Sequence, residues 1–365
     1  MSQPETSVLA DRRKHLGILT LNRPKALNAL TLEMIRGVTA QLLAWRDDPQ
    51  VGAVLLRGAN REGKAPAFCA GGDIRYFHEA AFAGDPTLED FFSEEYALNH
   101  LIHTFGKPTF VLMDGITMGG GMGLAQGASM RIVTEHARLA MPETNIGLFP
   151  DVGGGWFLAR TPGHLGEFLG LSGQALGAAD ALAVDWADVC VKAERLDDLV
   201  QALVDATAVD GVGALSAVNA FAADAGIASL RAHRELIDRV FAAPDLAAIM
   251  AALAAEEGEF AAALASTLAR RSPLMMAVTL AQIRRARTMT LADDLRMERG
   301  LVRHCFHLRP GAASETLEGI RALVVDKDHA PRWNPGAIAG VDAAMVEAFF
   351  VSPWPAHAHP LRDLA

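Results

Sequence analysis

The sequence is poor in cysteine, and the three cysteines that it has lie far apart. Cys69, Cys190 and Cys305 form no C-x-x-C pair. A disulfide framework and a zinc ribbon both need closely spaced sets of cysteines, so this spacing argues against both. Isolated thiols suit a reducing cytosol, and we expect a cytoplasmic location.

The chain also lacks a surplus of positive charge. Lys and Arg number 33 against 43 Asp and Glu, which gives a formal net charge of −10. Nucleic-acid binding requires a basic face, because contacts to phosphate supply much of the affinity. We therefore expect no nucleic-acid partner, and an anionic ligand would need a local basic patch.

Neither a targeting segment nor a long hydrophobic run can be recognised. Residues 1–14 are polar and mix acids with bases, unlike a signal peptide or an Arg-rich transit peptide. No stretch long enough to span a bilayer is free of charges and helix breakers, so we expect no membrane partner. The 365 residues, 51% of them hydrophobic, suffice for one large domain or a core with a smaller addition.

Short strands alternate with helices in the first half of the chain, which indicates an α/β fold. His15–Asn22 alternates like a strand, and Thr31–Trp45 is an amphipathic helix whose first residue is the N-cap. Further along, strand-like runs largely vanish and apolar residues recur at helical spacing. We predict an α/β core over residues 1–195 and a helical region over residues 196–365.

Two glycine-bearing turns are the first candidate functional feature. Met118–Gly123 places three glycines at the start of a predicted helix, and Ala67–Arg75 forms a second turn. Glycines let backbone N–H groups approach a ligand closely, and a helix N-terminus adds partial positive charge. One donor from each turn, with Ala70 in the second, would hold the oxyanion of an attacked thioester. The alternative is tight packing between strand and helix.

Other glycine and cysteine motifs are excluded or favour a structural role. The glycine cluster fits neither G-x-G-x-x-G nor a P-loop, and the chain has no G-x-S-x-G for a serine nucleophile. In the second turn, Cys69 is expected to be a small buried residue rather than a nucleophile, and Asp73 a helix cap.

A loop with two carboxylates is the second candidate feature. Glu143 and Asp151 lie among apolar and small residues in Met141–Gly155. Poor solvation raises the proton affinity of a carboxylate and allows it to act as a base or nucleophile. The alternative, about equal from spacing alone, is that Asp151 caps a helix starting at Val152 and that Glu143 has no role.

Three further positions, Glu95, Arg23 and Lys25, are ambiguous from the residues alone. Glu95 lies on a predicted amphipathic helix, where a glutamate usually faces solvent. Arg23 and Lys25, beside Ala26, form either a phosphate contact for CoA or an ordinary solvated turn.

A metal site is not expected. No pattern of carboxylates or cysteines accompanies the histidines of the chain, and such a pattern would be needed to complete a set of metal ligands.

Four strings occur in order along the first half of the chain: LTLNRPKALNAL, AFCAGGDIR, GITMGGGMGLA and AMPETNIGLFPDVGGGWFLAR. In this order and at these separations they resemble the crotonase (enoyl-CoA hydratase/isomerase) superfamily. The last of the four resembles in particular the 3-hydroxyisobutyryl-CoA hydrolases, as do SEEYALNH, which lies between the second and third strings, and ALVVDKDHAPRWNP near the end of the chain.

The resemblance implies a spiral of ββα units followed by a helical C-terminal region. It implies that the N–H groups of Ala70 and Gly120 hold the thioester oxygen, and that Glu95, Gly120, Glu143 and Asp151 contact the acyl group. For CoA itself, Arg23, Lys25 and Ala26 are the expected contacts.

The implied activity is hydrolysis of 3-hydroxyisobutyryl-CoA in valine breakdown, with Glu143 and Asp151 as catalytic residues. CoA is then part of the substrate and no separate cofactor is expected. Hydratases of the superfamily carry a glutamate where this chain has Gly123, which argues against alkene hydration. A hydratase or isomerase, and a non-catalytic CoA- or RNA-binding member, are the alternatives. Members commonly form trimers or hexamers, so a homo-oligomer stays open.

Overall fold

The computed structural model describes residues 6–211 and 213–365. Its two compact units interleave along the chain, whereas composition predicted one division at 195/196. Composition reports local structure, but compactness depends on which distant segments pack together. The first unit comprises the described residues of Met1–Gly72, Ala97–Leu139 and Leu176–Ala228, and the second comprises Asp73–Tyr96, Ala140–Ala175 and Ser229–Ala365.

The strands of the described residues form two sheets. A six-stranded sheet has the order β1-β2-β3-β5-β7-β9, and a three-stranded sheet has the order β4-β6-β8. Only β1 runs antiparallel to its neighbour in the larger sheet. The strands are β1 Val8–Arg13, β2 Leu16–Leu21, β3 Ala53–Gly58, β4 Ala67–Cys69, β5 Thr109–Met113, β6 Ile116–Met118, β7 Met130–Val133, β8 Arg138–Ala140 and β9 Val189–Cys190.

Helices account for most of the remaining chain, and from residue 196 onwards the described residues contain no strand. The helices are α1 Leu32–Asp47, α2 Ile74–Ala83, α3 Thr87–His103, α4 Gly120–Gln126, α5 Gly154–Leu158, α6 Leu165–Ser172, α7 Ala178–Ala183, α8 Leu196–Ala206, α9 Ala214–Asn219, α10 Arg234–Phe241, α11 Leu246–Ala254, α12 Glu259–Leu268, α13 Pro273–Ala286, α14 Leu291–His307, α15 Glu315–Ile320 and α16 Ala343–Phe350. The predicted cap is confirmed, because the Thr31 hydroxyl accepts the N–H of Met34 at 3.3 Å.

The core of the first unit lies between the six-stranded sheet and two helices. Strands β2 and β5 are buried along their whole length, as parallel strands covered on both faces require. Helices α8 and α9 pack their apolar sides on alternate strand residues. This cluster comprises Leu16, Ile18, Ala53, Leu55, Phe110, Leu112, Ile132, Val189, Val191, Leu199, Val200, Leu203, Val204, Ala214 and Val218.

The second unit is built mainly from helices around α13. Ten of the 14 residues of α13 are buried, and the helix packs against α5, α6 and α16. Helix α14 packs against α5, α15 and α16. None of the described helices has both the length and the apolar character that a membrane span would require.

Candidate active site

The structure brings the two predicted glycine turns together in the first unit. Strands β4 and β6 pair in parallel, so the turns that follow them leave the same edge of the small sheet. A Cβ atom on Gly71 would lie 3.2 Å from the Met118 oxygen and 3.5 Å from the Gly120 nitrogen. Gly71 also has φ +96°, which side-chain-bearing residues rarely adopt. Glycine is therefore needed at this contact.

The amides of these turns differ in their availability. Gly120 is the first residue of α4, so its N–H has no acceptor inside the helix. The Ala70 N–H, however, donates to the Leu27 carbonyl at 3.0 Å. This corrects the expectation for Ala70, because an oxyanion could take that proton only by breaking an existing hydrogen bond. Gly71 and Gly72 donate their N–H groups to no backbone acceptor in the described part of the chain, which leaves both amides of this turn available.

The residues predicted to bind CoA lie in a short 3-10 turn of the same unit. Lys25 and Ala26 are exposed at Pro24–Ala26. The Arg23 side chain is half-buried and donates from Nη1 to the Ala29 carbonyl at 2.5 Å. Lys25 therefore presents its cation to solvent, whereas Arg23 helps to close the turn. The CoA-binding role of the three residues stays a prediction.

Asn28 anchors this turn to the strand before the second glycine turn, a role that sequence reasoning missed. The side chain is fully buried, and its amide donates to the carbonyls of Ala59 and Ala67 at 3.0 and 2.8 Å. Its oxygen accepts the N–H of Arg23 at 3.0 Å. A buried amide needs such partners, so Asn28 fixes the spacing between the two segments.

Three carboxyl groups of the second unit are buried. Glu95 on α3 is 2% exposed, Glu143 is 5% exposed and Asp151 is 6% exposed. The ordinary expectation of a solvated Glu95 is therefore wrong at this position. Helical periodicity marked the side chain as polar but could not show that this face of α3 is covered.

Burial raises the proton affinity of all three carboxyl groups, and the charge of Asp151 adds to this effect at the two glutamates. Burial raises the pKa of both Glu95 and Glu143 well above the usual value, and the charge of Asp151 raises both further. Burial also raises the pKa of Asp151, to about 6, against the opposing effect of a hydrogen bond from Tyr96. The charge of Asp151 therefore favours the protonated forms of Glu95 and Glu143.

Tyr96 is a further member of the cluster that the sequence did not single out. Its hydroxyl is buried and donates to Oδ2 of Asp151 at 2.8 Å. The carboxyl of Asp151 is thereby directed at Tyr96. Helix α5 begins at Gly154, with Gly153 as its N-cap, so the alternative of Asp151 as a side-chain cap at Val152 is wrong.

Two carboxyl oxygens of the cluster are buried without a hydrogen-bond partner among the described residues. They are Oε1 of Glu95 and Oε2 of Glu143. An unpaired buried polar atom costs about 1–3 kcal/mol, so native proteins keep few of them outside functional sites. These oxygens can receive a polar group of a substrate or an attacking water.

The short turn Glu143–Ile146 that carries Glu143 is held by α13 and α15 of the same unit. The Thr144 carbonyl accepts the N–H of Ser272 at 3.3 Å, and the Gly147 carbonyl accepts the Thr316 hydroxyl at 2.6 Å. The Ser272 hydroxyl in turn donates to the Glu315 carboxylate. Glu143 is thus placed by residues far along the chain.

No group of three or more His, Cys, Asp or Glu side chains suited to a metal ion occurs in the parts of the chain described. All three cysteines are buried, and no disulfide bond joins any two of them.

Comparison with known proteins gives the family. The family model described as enoyl-CoA hydratase/isomerase matches residues 16–350. This chain belongs to the enoyl-CoA hydratase/isomerase family. Among the relatives in this family, 3-hydroxyisobutyryl-CoA hydrolase, mitochondrial, of Danio rerio is 40% identical over 356 residues, 96% of this chain and 91% of the relative. The Homo sapiens protein of the same name is 38% identical over 92% of this chain and 86% of its own length.

Two solved structures share the fold of this chain. A carnitinyl-CoA dehydratase from Mycobacterium thermoresistibile superposes with a TM-score of 0.88 at 36% identity, over 98% of this chain and 99% of the other. An enoyl-CoA hydratase from Rhodobacter sphaeroides gives 0.84 at 38% identity, over 95% and 98%. The predicted crotonase-like α/β fold with its helical C-terminal region is confirmed.

Proposed function

We propose that this enzyme hydrolyses 3-hydroxyisobutyryl-CoA, an intermediate of valine breakdown, to 3-hydroxyisobutyrate and CoA. The observation that carries the proposal is the buried Glu143 carboxyl, which has one oxygen without a partner among the described residues and Asp151 as its charged neighbour. The relatives named 3-hydroxyisobutyryl-CoA hydrolase support the same substrate, since they match more than nine-tenths of this chain.

In the proposed reaction, Glu143 attacks the thioester carbon as a carboxylate or removes a proton from an attacking water. The carbonyl oxygen takes the negative charge, and the amides of Gly120 and Gly72 donate to it. If Glu143 attacks, the C–S bond breaks, CoA leaves as a thiolate, and the anhydride formed between Glu143 and the acyl group is then cleaved by water to free both carboxylates. If Glu143 instead takes a proton from water, that water forms the new C–O bond, and the proton passes from Glu143 to the thiolate that leaves as the C–S bond breaks. Asp151 accepts a hydrogen bond from the substrate's hydroxyl group, and Glu95 supports the acyl pocket.

Hydration or dehydration is the second candidate, because the two similar solved structures are named a carnitinyl-CoA dehydratase and an enoyl-CoA hydratase. Addition of water to an alkene needs an acid and a base on the reacting carbons. The family position for the first of two glutamates is Gly123 in this chain. This substitution leaves Glu143 without that partner and favours hydrolysis.

The deciding experiment compares two thioesters. The purified protein is incubated with 3-hydroxyisobutyryl-CoA and with crotonyl-CoA, while free thiol and the conjugated alkene are followed separately. Hydrolysis predicts thiol release from the first substrate with little change in the second. Loss of the crotonyl alkene without thiol release would instead establish hydration and refute the proposal.

The cellular location and the oligomeric state are separate questions from the reaction. The names of the relatives place those proteins in mitochondria, so they give no support to the cytoplasmic location expected from the sequence, which stays a prediction. CoA enters as part of the substrate, and the proposed reaction needs no other cofactor. Assembly into a homo-oligomer likewise stays open.

A further inference from the structure

The segment from Pro150 to Trp156, which carries Asp151, contains a strained residue. Val152 has φ +58°. This left-handed conformation is unfavourable for a β-branched side chain. Such a residue persists only where surrounding contacts over-determine the backbone, and such residues cluster at functional sites. The contacts that hold this segment are therefore informative.

Two carboxyl groups of α14 accept hydrogen bonds from backbone amides that follow Asp151. Glu298 accepts the N–H of Gly153 on Oε2 at 2.7 Å and the N–H of Gly155 on Oε1 at 2.8 Å. Asp294, one turn earlier, accepts the N–H of Trp156 on Oδ2 at 2.8 Å. Both side chains are fully buried.

The amide of Gln282 on α13 holds the other side of the segment. Its Nε2 donates to the Pro150 carbonyl at 2.7 Å and to Oε1 of Glu298 at 2.9 Å. Gln282 is also fully buried. The backbone is therefore bonded immediately before Asp151 and again from two residues after it, and all of these bonds lie within the second unit.

The fit of these side chains against the backbone is tight. A Cβ on Gly155 would lie 2.4 Å from Oδ1 of Asp294 and 3.1 Å from the Gln282 side chain. Only glycine admits the carboxyl group at this distance, which gives one of the glycines after Asp151 a specific purpose.

The arrangement exceeds what a short helix needs for capping. Helix α5 has five residues, and one small polar side chain ordinarily caps a helix. Here two carboxyl groups are buried side by side, although burial raises the pKa of each and the Asp294 charge raises that of Glu298 further. Burying two carboxyl groups costs free energy, and this cost indicates that the segment they hold matters to the protein.

We propose that Gln282, Asp294 and Glu298 form a clamp that holds the segment Pro150–Trp156 and thereby positions Asp151 to accept the substrate's 3-hydroxyl group. The clamp residues are positioning residues, because they act through Asp151. The inference rests on the proposed function for its substrate. Tyr96 orients the carboxyl group itself, and the clamp fixes the backbone on both sides of it.

The test replaces Glu298 and compares two thioesters that differ only in the hydroxyl group, 3-hydroxyisobutyryl-CoA and isobutyryl-CoA. Glu298→Gln keeps the size of the side chain but points an NH₂ group at one of the two backbone amides. A displacement of Asp151 by about 1 Å should lower kcat/KM for the hydroxylated substrate roughly 100-fold. We expect kcat/KM for isobutyryl-CoA to change about threefold or less, because that substrate makes no hydroxyl contact.

Matched variants separate positioning from general damage. Glu167→Gln removes another buried carboxylate of this unit, one paired with Arg287, and should leave the ratio of the two kcat/KM values unchanged. Asp294→Asn retains an acceptor for the single Trp156 N–H and should also keep the ratio, whereas Asp294→Leu should reduce it. If Glu298→Gln does not fold, Gln282→Met tests the same clamp. An equal loss on both substrates would overturn the inference.

Amide hydrogen exchange tests the hydrogen bonds of the clamp without depending on turnover. In Glu298→Gln, the amides of Gly153 and Gly155 should lose protection while those of α6 keep it, and unchanged protection would overturn the clamp. Wild-type protein that releases thiol from neither thioester would refute the proposed function and the hydroxyl selectivity, and the exchange result would still establish or refute the clamp.

Discussion

The two units carry different kinds of polar group. The first has backbone amides, at Gly72 and Gly120, and places them by pairing β4 with β6. The second has the buried carboxyl groups of Glu95, Glu143 and Asp151, and the charge of Asp151 raises the pKa of the other two. Amides carry fixed partial charges at any pH, whereas carboxyl groups change charge with their surroundings.

This difference shows how the two sets must be maintained. Amides need only the correct backbone path, which glycines and a parallel strand pair provide. The segments that carry Glu143 and Asp151 are held by α13, α14 and α15, far along the chain. Substitutions at the glycine turns should therefore act through backbone geometry, and those at the three carboxyl groups through charge.

The largest effect should come from removing the charge of Glu143. Glu143→Gln keeps the shape of the side chain but can neither attack the thioester nor take a proton, so we expect kcat to fall about 10³-fold or more. Thiol release measures the rate, and the unfolding midpoint serves as the folding control. Full activity in this variant would remove Glu143 from the mechanism.

A backbone change in the first unit should have the next largest effect. Gly71→Ala places a Cβ against the Gly120 amide at a positive φ, and misplacing an oxyanion donor should lower kcat about 100-fold. Gly63→Ala is the matched control, because Gly63 also has a positive φ but no atom within 4 Å of the added Cβ. Equal kinetic losses in the two variants would show that strain alone, not the amide contact, is responsible.

The smallest effect, a shift of pH dependence, should follow from removing the charge of Asp151. The rate should rise with pH as Glu143 loses its proton, at a pH above the usual glutamate pKa of about 4.3. Because the Asp151 charge raises the pKa of Glu143, Asp151→Asn should lower that pKa and move this acidic limb to lower pH. The pH profile of kcat/KM for isobutyryl-CoA measures it. Asp293→Asn, an exposed change on α14, should leave the limb in place, and a limb moved upward in Asp151→Asn would contradict the charge coupling.

Local features of the fold were predictable because their causes lie within a few residues. Thr31 caps α1 through an N–H three residues away, and β2 lies within the run His15–Asn22 that was predicted as a strand, although it is buried along its whole length. Ala70 shows the opposite case. The turn was found correctly, but the direction of its N–H depends on the Leu27 carbonyl, which no local pattern reveals.

The carboxyl cluster was only partly predictable for the same reason. Glu143 and Asp151 share one loop string, so a motif can identify them. Tyr96 and the clamp were missed, since Glu298 bonds Gly153 from 145 residues away. Hydrophobic periodicity reports which face of a helix is polar, but whether that face meets water or another segment depends on packing.

By itself, the sequence determined the α/β pattern, the two glycine turns and the family to which the chain belongs, because short-range dihedral preferences and ordered motifs encode all three. Only the tertiary structure decided which amides remain available, that Glu95 is buried, and that α13 and α14 hold the strained segment around Asp151. Proton affinity and orientation arise from what surrounds a group in space, and the surrounding residues here are distant in the chain.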